Sequence, residues 1–142
     1  MTDNTAAAEF HARLNGRFDG VMQWHELDEL FARVKSGAWY FYQIGESLPA
    51  LALQGDELAR RADELNALLR REHDYHYCGI VYADNIEHPT LIKVYDPNNL
   101  GSSCSVGAAP VLPGWVLSTA SPALIETQVP VPASRRRWWQ LF

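Results

Sequence analysis

Ala38-Trp39-Tyr40-Phe41-Tyr42-Gln43-Ile44 carries the clearest strand signal in the chain. The stretch is dense in aromatic residues, which favour extended backbone, and Gly45 closes it. Both faces of the strand are apolar, so we expect it to lie in the centre of a sheet rather than at an edge.

Residues 55–72, which follow, form the strongest predicted helix. Its apolar residues recur at helical spacing on one face, and they are Leu58, Ala62, Leu65 and Leu69. Acidic residues occupy its first turn and arginines its last, which suits the helix dipole. The other charged side chains are expected on a solvated face, and they are Arg60, Arg61, Asp63 and Glu64.

Two further helices are predicted ahead of the strand. Residues 22–35 place Trp24, Leu27, Leu30, Phe31 and Val34 on one apolar stripe. Residues 5–14 form a shorter helix that Thr5 can cap and that ends at Asn15-Gly16.

The second half of the chain favours strands. Residues 75–83 and 90–95 are predicted as an antiparallel hairpin joined by a short polar connection, and a last strand is expected near 114–118. The resulting order predicts an α+β fold with two to three helices packed on one face of a small, mostly antiparallel sheet of about four strands. A length of 142 residues suits one such domain.

We divide the chain into four parts. Residues 1–4 are expected to be a disordered N-terminus, and residues 5–120 the α+β domain. Prolines at 122, 130 and 132 predict an extended linker over 121–134, followed by a basic and aromatic tail at 135–142.

Composition narrows the classes of function. The chain is 47% hydrophobic and 20% charged, which fits a folded protein, and its net charge of −5 argues against general nucleic-acid binding. The tail carries three arginines and no acid, whereas residues 1–134 carry 9 Lys+Arg against 17 Asp+Glu, a balance of −8. With no signal peptide, no run of about 20 apolar residues and only two cysteines, we expect a cytoplasmic protein.

The tail is the leading candidate for partner binding. Arginine and large aromatic residues are the types that anchor protein interfaces, and the candidate residues are Arg135, Arg136, Arg137, Trp138, Trp139, Leu141 and Phe142. The tail could instead dock on its own domain or contact a lipid headgroup layer. Its ending is similar to peptides that bind the bacterial sliding clamp, although those begin with Gln where this chain has Trp138.

A second hypothesis is a small enzyme or a ligand-binding or metal-binding domain. If a strand starts at Tyr75, His76 and Cys78 share a face and His73 approaches them, which offers donors for zinc or iron. No second cluster supplies further ligands, so we expect neither a metal nor a cofactor. The loop after Asp96 could supply a cysteine nucleophile or an anion site, with candidate residues Asn98, Asn99, Gly101, Ser102 and Cys104.

All six tyrosines fall in the predicted strands. Alternation along a strand divides such residues between the two faces of a sheet. They then either stabilise the sheet through cross-strand pairs or form an aromatic platform for a ligand or partner. We predict a non-enzymatic interaction or adaptor module that uses its tail to bind a protein, without contact to nucleic acid.

Overall fold

The computed structural model describes residues 2–99 and 112–125, and they form one sheet flanked by helices. The helices are α1 (Thr2–Leu14), α2 (Trp24–Lys35) and α3 (Gly55–Glu72), with a short 3₁₀ helix at Pro97–Asn99. The strands are β1 (Asp19–Val21), β2 (Ala38–Gln43), β3 (Leu53–Gln54), β4 (Val81–Ala83), β5 (Leu91–Val94) and β6 (Trp115–Ser118).

These strands form a sheet in the order β1-β4-β5-β6-β2-β3, and every described pairing is antiparallel. The strand β2 pairs with β6 on one side and β3 on the other, so it lies inside the sheet as its two apolar faces predict. The hairpin of β4 and β5 pairs Val81 with Val94, which confirms the antiparallel connection expected there.

One face of the sheet carries the larger core, which α2 and α3 cover. The helices contribute Leu27, Leu30, Phe31, Val34, Leu58, Ala62, Leu65, Leu68 and Leu69. The strands contribute Val21, Trp39, Phe41, Val81, Ala83, Ile92, Val94, Trp115 and Leu117. Full burial of a large aliphatic side chain contributes about 1.5–3 kcal/mol, so this layer dominates the stability of the fold.

The opposite face carries a smaller core that α1 covers. Phe10 and Leu14 of α1 pack with Tyr42, Leu91 and Val116, which alternate away from the larger core. Lys93 also lies on this face, donates a hydrogen bond to Leu14 O at 3.3 Å, and is 4.0 Å from the centre of the Phe18 ring.

The α+β class is confirmed, and two of the three helices share one face of the sheet. The described sheet has six strands rather than about four, because β1 and β3 span only three and two residues and give almost no alternation signal. The predicted strand at 75–83 is wrong over its first half, because only Val81–Ala83 pairs as β4.

The helix predictions agree closely with the structure, with one correction that matters for function. The bounds of α3 match the prediction, α2 begins at Trp24 rather than residue 22, and α1 begins at Thr2 rather than residue 5. Arg61, however, is not on a solvated face, because it is only 8% exposed.

The connection between β4 and β5 is organised by Asp84. Its carboxylate accepts hydrogen bonds from the amides of Asn85, Thr90 and Leu91 at 2.9, 2.9 and 3.1 Å, and from the Thr90 hydroxyl. Burial acts to raise the pKa of Asp84, but these hydrogen bonds favour the carboxylate more strongly, so the pKa lies below its ordinary value.

We predict that Asp84→Asn lowers the free energy of unfolding at pH 7 by about 1–3 kcal/mol, the cost of disrupting such a network. Because the folded pKa lies below the unfolded value, the carboxylate stabilises the fold above about pH 4 and loses this effect as the pH falls through the folded pKa. Urea denaturation at a series of pH values measures this difference. It should shrink below about pH 4, whereas Asp19→Asn, at an exposed position of β1, should have little effect. A difference that does not depend on pH would contradict the role of the charge.

Candidate functional site

The segment between α3 and β4 forms the most distinctive surface of the described structure. Two of its large side chains are about half exposed, Tyr75 at 58% and Tyr77 at 48%. Met22, which follows β1 and accepts a hydrogen bond from the segment at its carbonyl oxygen, is 52% exposed. Trp24, at the start of α2, completes the group. We call Met22, Trp24, Tyr75 and Tyr77 the aromatic surface.

Hydrogen bonds fix the backbone of this segment at both ends. The His73 amide donates to Leu69 O at 2.8 Å, which closes α3, and the Cys78 amide donates to Met22 O at 2.7 Å. The amide of Gly79 donates to Val21 O at 2.9 Å, so the segment is attached to the end of β1. Hydrogen bonds at both ends therefore hold the backbone that carries Tyr75 and Tyr77.

The buried His73 ring contacts both Cys78 and Tyr75 and so connects the two ends of the segment. Its Nε2 atom lies 2.9 Å from Cys78 O, and a carbonyl oxygen only accepts, so Nε2 donates this hydrogen bond. The same ring meets the Tyr75 ring edge to face, with 4.5 Å between ring centres. His73 therefore positions Tyr75 and is itself only 6% exposed.

The aromatic rings support each other. The Tyr75 and Tyr77 rings are stacked, with 5.7 Å between their centres and 13° between their planes. The Trp24 indole N–H donates to Tyr75 O at 2.9 Å. Gly79 has a φ of 71°, and a Cβ atom there would lie 3.1 Å from the Tyr77 ring, so glycine permits both the turn and the ring position.

Arg70 anchors the edge of the surface next to Trp24. Its guanidinium lies 5.1 Å from the Trp24 ring centre, forms a 2.8 Å ion pair with Asp28, and donates to Trp24 O at 3.1 Å. Its Nε donates to Asn66 at 2.7 Å. These contacts tie α2 to α3 at the point where the aromatic surface begins.

The structure separates most of the residues that the metal hypothesis brings together. Cys78 is fully buried and His76 is exposed, because residues 75–79 do not form the strand that would align them. Burial raises the pKa of the Cys78 thiol above its ordinary value, so the neutral thiol is favoured. Among the described residues, no group of three His, Cys, Asp or Glu side chains could hold a metal ion.

The loop after Asp96 is described only at its start. The backbone N–H of Asn98 donates a hydrogen bond to the Asp96 carboxylate at 2.9 Å, and its side-chain amide donates to the Glu72 carboxylate at 2.8 Å. Asn98 therefore connects the loop to the end of α3. The side chain of Asn99 and the candidates Gly101, Ser102 and Cys104 lie outside the described residues. So do all the tail candidates, Arg135, Arg136, Arg137, Trp138, Trp139, Leu141 and Phe142.

The tyrosines divide differently from the prediction. Tyr40 and Tyr42 lie in β2 and Tyr82 in β4, whereas Tyr95 follows β5 directly. Tyr42 is fully buried, and its hydroxyl accepts a hydrogen bond from the Ile125 amide at 2.9 Å. Of the three tyrosines outside the strands, Tyr75 and Tyr77 belong to the aromatic surface, whereas Tyr95 is partly buried.

No protein-family model, curated protein or solved structure matches this chain. None of the described helices is long and apolar enough to cross a membrane.

We predict that Cys78 is unreactive in the folded protein. In a Cys104→Ser variant, Ellman's reagent should give no signal in native buffer and one thiol after unfolding in urea, because Cys78 is buried. A Cys78→Ser variant serves as the control for the other thiol. Rapid reaction of the native Cys104→Ser protein would show that the segment opens and that Cys78 is accessible.

Proposed function

We propose that this protein is a non-enzymatic cytoplasmic interaction module that binds a basic segment of a partner protein on the aromatic surface. The observation that carries the proposal is the exposure of Tyr75 and Tyr77 on a backbone that hydrogen bonds hold in place. Tyrosine, tryptophan, methionine and arginine are enriched where proteins bind one another. Rigid aromatic side chains also lose little conformational entropy on binding.

Charge supports a basic partner. Aromatic faces attract guanidinium and ammonium groups, and the exposed Asp74 lies in the same segment. The cations on the last turn of α3 already have acidic partners, because Arg70 pairs with Asp28 and Arg71 lies 3.7 Å from Glu72. Outside the tail the chain has a balance of −8, which would attract a basic segment from a distance.

The tail enters the same proposal as a second contact with the partner. Its three arginines and its aromatic residues have the composition of an interface anchor, and they follow a linker with prolines at 130 and 132. Cytoplasmic placement is supported by Cys78, which is a free and buried thiol.

The aromatic surface is tested with a labelled peptide of alternating Arg and Gly residues. We expect the full chain to bind it and the Tyr75→Ala/Tyr77→Ala variant to bind it at least about tenfold more weakly, because hot-spot residues each contribute about 2 kcal/mol or more. The Leu124→Ala variant is the control, since Leu124 is 54% exposed and outside the aromatic surface. Fluorescence anisotropy measures the dissociation constants.

Three outcomes would contradict this part of the proposal. The full chain could fail to bind the peptide, or the double variant could bind it as well as the control. A variant lacking residues 135–142 could also bind it much more tightly than the full chain, which would show that the protein's own tail occupies the surface.

The tail is tested separately by deleting residues 135–142. We expect an unchanged melting temperature, because the proposal makes the tail a contact with the partner and not a part of the core, together with loss of proteins captured by the full chain. Each lost protein is then purified and titrated calorimetrically against both forms. A large fall in melting temperature would instead make the tail part of the core and exclude an outward role.

A further inference from the structure

A cleft opens at the N-terminal half of α3, under the loop that joins β2 to β3. Its volume is about 230 Å³, below the 300–1,000 Å³ of sites for drug-sized ligands. Phe41 and Leu53 form part of its apolar wall, Ser47 and Leu51 come from the loop, and α3 contributes Glu57 and Arg61. The cleft therefore has room for a molecule about the size of an amino acid.

The two charged residues of the cleft have opposite sign and neighbouring positions. Glu57 and Arg61 are four residues apart on α3, so they lie one turn apart on the same side of the helix. Arg61 is 8% exposed while Glu57 is exposed, which gives the cleft a buried cation and an accessible anion.

Arg61 stays charged although its environment lowers its pKa. Burial is the main cause and Arg60 acts in the same direction, Glu57 and Glu64 oppose them, and a guanidinium remains protonated in proteins. In a partly buried site a charge interacts more strongly with a ligand than it does in water. A planar guanidinium also matches a carboxylate in geometry and can bind it through two parallel hydrogen bonds.

The loop places an exposed leucine at the cleft, beside the polar Ser47. Leu51 is 77% exposed, the largest exposure among the large hydrophobic residues of the described structure. Leu53 is half-buried and Phe41 is 2% exposed, so these three apolar side chains that line the cleft differ in depth. An aliphatic side chain entering the cleft would bury Leu51 as well as itself.

We propose that this cleft binds a small zwitterion with an aliphatic side chain, of which a free α-amino acid such as leucine is the simplest example. Arg61 binds the carboxylate, Glu57 binds the ammonium group, and Phe41, Leu51 and Leu53 receive the side chain. This site is independent of the aromatic surface, since Arg61 and His73 are about 18 Å apart along α3 at 1.5 Å per residue.

The ligand is tested by calorimetric titration of the full chain with L-leucine and two analogues that each lack one charge. N-acetyl-L-leucine lacks the ammonium group and L-leucinamide lacks the carboxylate. We expect L-leucine to bind with a dissociation constant below roughly 1 mM and each analogue to bind at least about tenfold more weakly. Equal binding of N-acetyl-L-leucine would overturn the zwitterion in favour of a simple carboxylate, and no binding of L-leucine would overturn the proposal.

Paired variants test the residues of the cleft. Leu51→Ser should weaken L-leucine at least about fivefold, whereas Leu48→Ser should not, although Leu48 is 40% exposed in the same loop and does not line the cleft. Glu57→Gln should weaken L-leucine but leave N-acetyl-L-leucine unchanged, with Asp56→Asn as its control. Arg61→Lys, which keeps a cation and should preserve the fold, should weaken both ligands, with Arg60→Lys as control. Equal affinities within each pair would overturn the assignment.

Discussion

The packing of α3 against the sheet is the constraint on which the other features depend. Its leucines enter the larger core together with those of α2, and each is at most 2% exposed. A helix held along its whole length by such a stripe cannot move at one end without opening the core. Both candidate sites adjoin this helix. Glu57 and Arg61 line the cleft near its N-terminal end, and Arg70 and His73 contact the aromatic surface at its C-terminal end.

The C-terminal end shows how side-chain hydrogen bonds replace regular secondary structure. Alternating residues after α3 favour a strand from Tyr75, but the backbone forms only two described hydrogen bonds with the chain at the end of β1, from Gly79 to Val21 and from Cys78 to Met22. The His73 ring holds Cys78 O, and the positive φ of Gly79 breaks the extended path. The same pattern of apolar alternation therefore ends as an exposed surface instead of a sheet edge.

The elements with strong periodicity could be predicted from the sequence, and the weak ones could not. The stripe of α3 and the aromatic strand β2 carry many residues that agree, so their bounds and their central place follow from local preferences. The strands β1 and β3 are too short to show alternation and depend on partners distant in sequence. For α1 the sequence predicts a helix but does not indicate which face of the sheet the helix covers. Phe10 and Leu14 could pack on any apolar layer that the other elements leave uncovered.

For the candidate sites, the sequence shows the types of residue present but not how the fold brings them together. Arg61 occupies a position beside α3's apolar stripe, where composition favours solvent, but it is buried and lines a cleft together with residues of the β2–β3 loop. Loops of this kind leave no periodic signal, so neither the cleft nor its charges could be anticipated. The aromatic surface is closer to the prediction, since the sequence predicts an aromatic platform as one alternative for Tyr75 and Tyr77, although it places both residues in a strand.

The two faces of the sheet explain why binding is expected at the ends of α3 and not on the side of α1. On that side polar groups of the sheet form hydrogen bonds within the protein. The Tyr42 hydroxyl accepts a hydrogen bond from the Ile125 amide, and the Lys93 ammonium group donates one to Leu14 O and lies over the Phe18 ring. Burial lowers the pKa of Lys93, so even this cation belongs to the internal packing. On the α3 side, by contrast, Tyr75 and Tyr77 remain exposed although hydrogen bonds hold the backbone of their segment, and Leu51 is exposed beside the cleft. Exposed apolar area on a fixed backbone is the condition under which a partner or ligand gains the most from burial, because little further ordering is required.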